Sequence, residues 1–409
     1  MPEGKSISHG VDAAVPGRWA PAGLTIGKFA SFGLAAASAL ALSLHTIQPS
    51  FHSAKLGLVL VATLLLHVAR FARISLIREA VIYAGFIGYM LVQLLWTTDR
   101  ELALNTLVPA ASFAIIIILF SSLAAYHDLK AVLAGVVCGF IAGAGLYTRT
   151  SGFPFRYPAE FSYNAIAMMY LFGLIVTLLL ASIARRRLGL LVLAAAAGVH
   201  IVATTSIKTN LGILLGALGA AAVHLGQVSR MLWRHALLIA VAGVAIGFAV
   251  ASNEAVIERL QRGADRVALG IQVLRARENL PGYSSFERRA GWQREGIRGW
   301  AGNPLFGHGV EAFRSRFGIT SHSSHIDIAY NSGLIGLALF YGLFASMLLR
   351  LYRQRQGGFQ DARLVILGGV LCLLLITFAG TIHYNAFLAA FLALAVGVLN
   401  RAPRQPVGR

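Results

Sequence analysis

Charge is what this chain has least of. Asp, Glu, Lys and Arg together make up 12% of it, against roughly 25% in an ordinary soluble domain. Acids are the scarcer sign, with 16 Asp and Glu against 35 Lys and Arg, for a formal net charge of +19. So little charge cannot cover a sequence that is 57% hydrophobic, and a soluble globular class is excluded. Cysteine is nearly absent too. Cys138 and Cys372 both fall in apolar runs, where a thiol is expected to be reduced and packed as a small hydrophobe. No disulfide framework and no CxxC metal motif can be built from them. Internal repeats and low-complexity segments are missing as well. So is the apolar–polar alternation of membrane strands, which excludes a transmembrane β-barrel.

What the chain has instead is apolar runs of span length, about 20 residues per crossing. They predict an all-α polytopic membrane protein with about twelve transmembrane helices, near 23–43, 56–69, 79–96, 106–125, 131–147, 163–183, 188–204, 211–227, 236–252, 327–349, 364–379 and 385–399. Basic residues concentrate in alternate loops: Arg70, Arg73 and Arg78; Lys130; Arg185 to Arg187; Arg230 and Arg234; Arg350, Arg353, Arg355 and Arg363; then the tail. By the positive-inside rule both termini are expected in the cytoplasm of a bacterial inner membrane. The same spread over many short loops explains the net charge without nucleic acid. The first run ends in "AAASALALS", which is similar to a signal-peptide cleavage site. Its length and long polar leader favour a retained anchor.

Three regions follow: spans one to nine with short loops (1–252), one large loop (253–326), and spans ten to twelve with the tail (327–409). The large loop is expected on the periplasmic side, and loops of that length are usually functional. It carries eleven arginines, no lysine and seven acids. Arginine is the planar, permanently charged fork that suits phosphate oxygens. Glu254, Glu258, Glu287 and Glu295 stand at helical spacing from arginines, so several are expected to pair. Within the loop, "ERRAGWQREGIRGWAGNPLFGHG" combines Arg288 and Arg289 with the aromatic platforms Trp292, Trp300 and Phe306. Its end is a turn rich in glycine and proline. His308 inside it is expected to serve the turn. Lys208 opens span eight on the same side, where topology gives it little reason to be. The pair Asp99 and Glu101 is expected to be solvated rather than metal-binding.

The loop hands over to span ten through "SHSSHIDIAYNSGLIG". Ser324 to Asp327 reads as a capping box. That leaves His322 just outside the helix and His325 at its start. Gly333 and Gly336 are expected to permit close helix contact.

These residues together resemble the O-antigen ligase and polysaccharide-polymerase superfamily. Its signature is a histidine followed by Asn or Ser, with glycines eleven and fourteen residues on. Here those are His322, Ser323, Gly333 and Gly336, after "NPLFGHG" and with "SIKTN" upstream. Ser323 stands where the family more often has Asn. The motif-bearing part covers about 200–340. The resemblance implies a C-type glycosyltransferase-like (GT-C) fold that transfers a glycan from undecaprenyl pyrophosphate to a lipid A–core acceptor on the periplasmic face. It implies His322 as the catalytic residue, a general base on the acceptor hydroxyl. Lys208 with Arg288 or Arg289 would clamp the pyrophosphate, without metal or other cofactor. His325, Asn164, Trp292 and His308 are candidate substrate-lining residues.

Polymerases of the family often have two sizeable periplasmic loops, whereas the segment at 148–162 is short, which tilts the expectation toward a ligase. O-antigen or exopolysaccharide polymerisation remains an alternative, as does protein O-glycosylation. A secondary transporter of anionic substrates is the alternative of another class. It would place ionisable groups along the spans; here His67 is the one exception read in them.

Overall fold

The computed structural model describes residues 23–47, 53–151, 163–184, 188–203, 207–223, 257–258, 261, 265, 284–354, 360–380 and 385–401. Among these residues every extended element is a helix, thirteen in chain order. They are α1 (Gly23–Ile47), α2 (Ser53–Phe71), α3 (Arg78–Gln93), α4 (Arg100–Tyr126), α5 (Leu129–Ser151), α6 (Tyr163–Ile183) and α7 (Leu188–Ala203). Then come α8 (Ile207–Val223), α9 (Ser284–Gly302), α10 (Ala312–Phe317), α11 (Ser324–Arg353), α12 (Gln360–Ala379) and α13 (Ala386–Arg401). Six of them, α1, α4, α5, α6, α11 and α12, are long and apolar enough to cross a membrane. Helices stand at eleven of the twelve apolar segments expected; the one at 236–252 lies outside the described residues.

Small residues set the closest crossing. Gly135, Gly139 and Gly143 recur every four residues along α5, one above the other on a single face. A methyl group on Gly135 or Gly139 would collide with the carbonyls of Phe32 and Ala36 on α1. Backbones that approach this closely gain dispersion contacts that lipid tails cannot supply. Cys372 is packed as expected, but Cys138 faces outward, because the glycine face of α5 is the one turned toward α1.

Helices α3 and α11 pack together between two polar clamps. At one end the Glu79 carboxylate, fully buried, receives Arg350 at 3.2 Å and the Ser346 hydroxyl at 2.5 Å. Arg78 donates to that same hydroxyl at 2.8 Å. Burying a carboxylate is costly unless it is paired and hydrogen-bonded, and here it is both. Between the clamps lie Phe86 and Met90 of α3 and Phe340, Leu343 and Phe344 of α11, all in the main core. The second clamp belongs to the candidate site.

A separate chain of contacts ties α1, α2 and the α4–α5 turn. His127 Nδ1 lies 2.8 Å from the Ser31 hydroxyl, and its Nε2 lies 3.0 Å from His67 Nδ1. His67 Nε2 faces the Arg73 carbonyl at 2.9 Å. A carbonyl only accepts, so Nε2 of His67 carries its proton and Nδ1 accepts from His127. The expected exception among the spans is thus a buried, hydrogen-bonded histidine. Burial first, then the charges of His67, Arg70 and Arg401, push the His127 pKa down to about 4. The unfolded chain, with an ordinary histidine, therefore binds more protons between about pH 4 and 6.5. Thermal melting of the purified protein should rise in temperature across that window. His127→Asn should flatten the rise; an unchanged slope would show that His127 does not carry it.

Candidate active site

Helix α11 is broken in the middle. Gly333 adopts φ 62°, ψ −161° inside it, a conformation only glycine adopts readily. In an unbroken helix the amides of Leu334 and Ile335 would serve the carbonyls of Tyr330 and Asn331. Here those amides donate to Pro304 and Leu305, at 2.9 and 3.3 Å. The carbonyls of Tyr330 and Asn331 accept from His308 and Gly309, each at 2.9 Å. The "NPLFGHG" turn is therefore inserted into the break and makes its backbone bonds. A Cβ on Gly333 would strike Leu305, and one on Gly307 would strike Asn331.

Gln93, at the end of α3 and fully buried, closes the junction. Its Nε2 donates to the carbonyls of Phe306 (3.0 Å) and Asn331 (2.9 Å), and its Oε1 accepts from Ser332 (3.0 Å). Tyr89 donates to the Phe306 carbonyl at 2.8 Å, and Thr97 to that of Val310 at 2.9 Å. This corrects the expectation for Gly333, which is a hinge rather than a contact surface between spans. Gly336 sits against Ser332 and Ile328 of its own helix.

The segment before the break, residues 324–332, carries α9. A Cβ on Gly296 would meet Ile326, and one on Gly299 would meet Tyr330. Phe313, Ala312 and Tyr330 form a second small core with Trp292 and Phe317 against it. The face of α9 on α11 is thereby fixed. Arg289, three residues before Trp292, shares its side of the helix.

His322 stands at the mouth of this assembly. Its ring centroid lies 5.8 Å from that of Trp292, tilted by 41°. Its backbone is left-handed at φ 61°, uncommon for a residue with a side chain. The buried flanking serines hold it there. The Ser321 amide donates to Asp327 Oδ1 at 2.8 Å, and the Ser321 hydroxyl donates to the Ser323 carbonyl at 2.9 Å. The expected capping box is corrected accordingly. The N-cap is Ser323, without a side-chain cap bond, and Ser324 instead donates to the Gly380 carbonyl at 2.7 Å. Asp327 reaches back past the cap to brace the loop that presents His322.

The other expected residues separate. His325 turns toward α12, with its ring 4.7 Å from Phe378 and Nδ1 2.7 Å from the Ser323 hydroxyl. His308 serves the turn, as expected: Nε2 donates to the Gly299 carbonyl at 2.8 Å and the ring lies 4.6 Å from Tyr330. Asn164 opens α6, whose packing partners include α5, α7 and α12. Arg289 is exposed. Lys208 and Arg288 are placed only by backbone, in α8 and α9; their side chains lie outside the described residues. Arg298 pairs with Glu295 at 2.7 Å, as the helical spacing implied. Asp99 caps α4 by accepting from the Leu102 amide at 3.0 Å, so it is a structural acid. Among the described residues no group of three His, Cys, Asp or Glu side chains could hold a metal.

Glu311 escaped the sequence reading. It is buried, left-handed at φ 57°, and burial raises its pKa despite the nearby Arg314. Gln93 also escaped it, although an amide in an otherwise apolar run was a visible signal of a buried polar contact. The chain matches no family model and no curated protein sequence.

Gly333→Ala should cost about 2 kcal/mol or more, from left-handed strain plus the collision. Gln93→Leu should cost about 2–3 kcal/mol, because two carbonyls and a hydroxyl lose their partner. Denaturation of the purified variants measures both. Losses under about 0.5 kcal/mol, the range of an ordinary surface substitution, would mean that the junction is not closed in this way.

Proposed function

We propose that this chain is a membrane glycosyltransferase of the O-antigen ligase type. It moves a glycan from undecaprenyl pyrophosphate to a lipid A–core acceptor at the periplasmic face of the bacterial inner membrane, within a C-type glycosyltransferase-like fold of about twelve spans. The observation that carries this reading is the juxtaposition of His322 with Trp292 on the arginine-bearing face of α9. His322 and Trp292 belong to separate elements, which the turn inserted into the broken helix brings together. Strained backbone at a titratable residue recurs at functional sites, and His322 has it.

In the proposed step the acceptor hydroxyl gives its proton to the His322 ring as its oxygen bonds the anomeric carbon. The bond from that carbon to the pyrophosphate oxygen breaks, and the electron pair leaves with the pyrophosphate. Arg289, with Arg288 and Lys208, stabilises that anion. The aromatic face of Trp292 offers a sugar ring an apolar platform. No step draws on a gradient. The buried Glu79 is paired at a helix end, which supports surface chemistry over a transport path.

Two variants separate fold from chemistry. His322→Gly should hold or gain about 1 kcal/mol of stability, since glycine relieves the left-handed backbone, yet lose transfer. His322→Ala should lose transfer as well while still binding donor. The assay is conversion of polyprenyl-linked glycan by purified protein in detergent without a gradient. Transfer retained in either variant would remove His322 from the role. In cells lacking the gene, unsubstituted core supports a ligase; core bearing one repeat would make the enzyme a polymerase.

A further inference from the structure

Away from the candidate site, α5 and α7 both pack on α6 and leave a groove between them. Its volume is about 430 Å³, within the range of small-molecule sites. Small residues make the space: Ala144 and Gly145 from α5, Ala196 and Ala197 from α7. No described residue lies within 4 Å of where a Gly145 side chain would project. Phe140, Tyr170 and Leu193 also line it, and the body of the groove is apolar.

One end differs. Thr148 and Arg149 close the C-terminal end of α5, and His200 near the C-terminal end of α7 stacks on Tyr170 at 4.8 Å. His200 Nδ1 donates to the Ala196 carbonyl at 2.8 Å. The groove therefore has an apolar body and one polar, cationic end, which is the polarity of a single amphiphile.

Length narrows the occupant. From Phe140 to Arg149 the helix rises about 13 Å at 1.5 Å per residue. That is close to half of a hydrocarbon core of about 30 Å, the depth of one leaflet. A helix from another chain would need the full thickness; one lipid chain needs half. Ile141 on the wall is 42% exposed, so the groove opens sideways to where lipid lies.

We propose that this groove binds one acyl chain of an anionic phospholipid, whose phosphate is held by Arg149 beside Thr148. The site is independent of the proposed transferase reaction. It gives the bundle a bound lipid between helices that otherwise do not fill the space.

The full chain in nanodiscs, with phosphatidylglycerol bearing a photoreactive acyl chain, provides the test. Label should map to 140–149 and 193–200 and exceed that from the same phosphatidylcholine probe by about fivefold, because the choline cation cancels the net negative charge that Arg149 attracts. Gly145→Leu fills open space with a better helix former, so the protein should fold and lose the label. Arg149→Gln should keep the label but erase the headgroup preference. Equal labelling by both probes in the unaltered protein, or full labelling of Gly145→Leu, would overturn the site. A cross-linked dimer through these residues would assign the groove to a second copy instead. Displacement by a polyprenyl phosphate but not by unlabelled phosphatidylglycerol would overturn the phospholipid.

Discussion

A helix interrupted inside an apolar bundle releases backbone amides and carbonyls that no water can serve, and each must find a partner within the protein. At Gly333 the amides of Leu334 and Ile335 and the carbonyls of Tyr330 and Asn331 all find theirs in one turn, residues 304–309. The exchange is reciprocal, since the turn donates twice and accepts twice. Gln93 then binds both sides of the junction at once. The break and the turn are thus mutually required. Neither would be stable in an apolar setting without the other.

Much of the proposed site follows from that junction. Because the turn is fixed at 304–309, α9 just before it is delivered against the first part of α11. Gly296 and Gly299 let the two backbones come close enough for Trp292 to reach His322. The hydrogen bonds among Ser321, Ser323 and Asp327 then hold His322 in its left-handed backbone. At the far end of the α3–α11 pair, Glu79, Ser346 and Arg350 fix the other clamp. Helix α11 is therefore held both at its central break and near its C-terminal end, and a rigid mount of this kind is what a positioned base requires.

The helices were legible because their cause is local. Apolar runs in a chain so poor in charge leave few alternatives, and the expected segments coincide with helices wherever residues are described. The chemistry-bearing cluster around "SHSSH" was also visible as residue types. What the sequence could not disclose was pairing at a distance. Asp327 has the look of a local capping-box acid because it stands three residues after Ser324; the structure gives its carboxylate to the Ser321 amide, six residues back. Gly333 looked like a small residue for helix packing, since positive φ leaves no periodic trace. Likewise His325 and His322 are near neighbours in sequence, yet helix geometry sends the first to Phe378 and leaves the second against Trp292.

Amide hydrogen exchange on the purified protein in detergent reads the junction directly, since exchange reports how often each backbone bond opens. The amides of His308, Gly309, Leu334 and Ile335 should be protected to the same degree as those in the middle of α11. Exchange at those four amides as fast as in an open loop would contradict the insertion of the turn, and with it the mount proposed for His322.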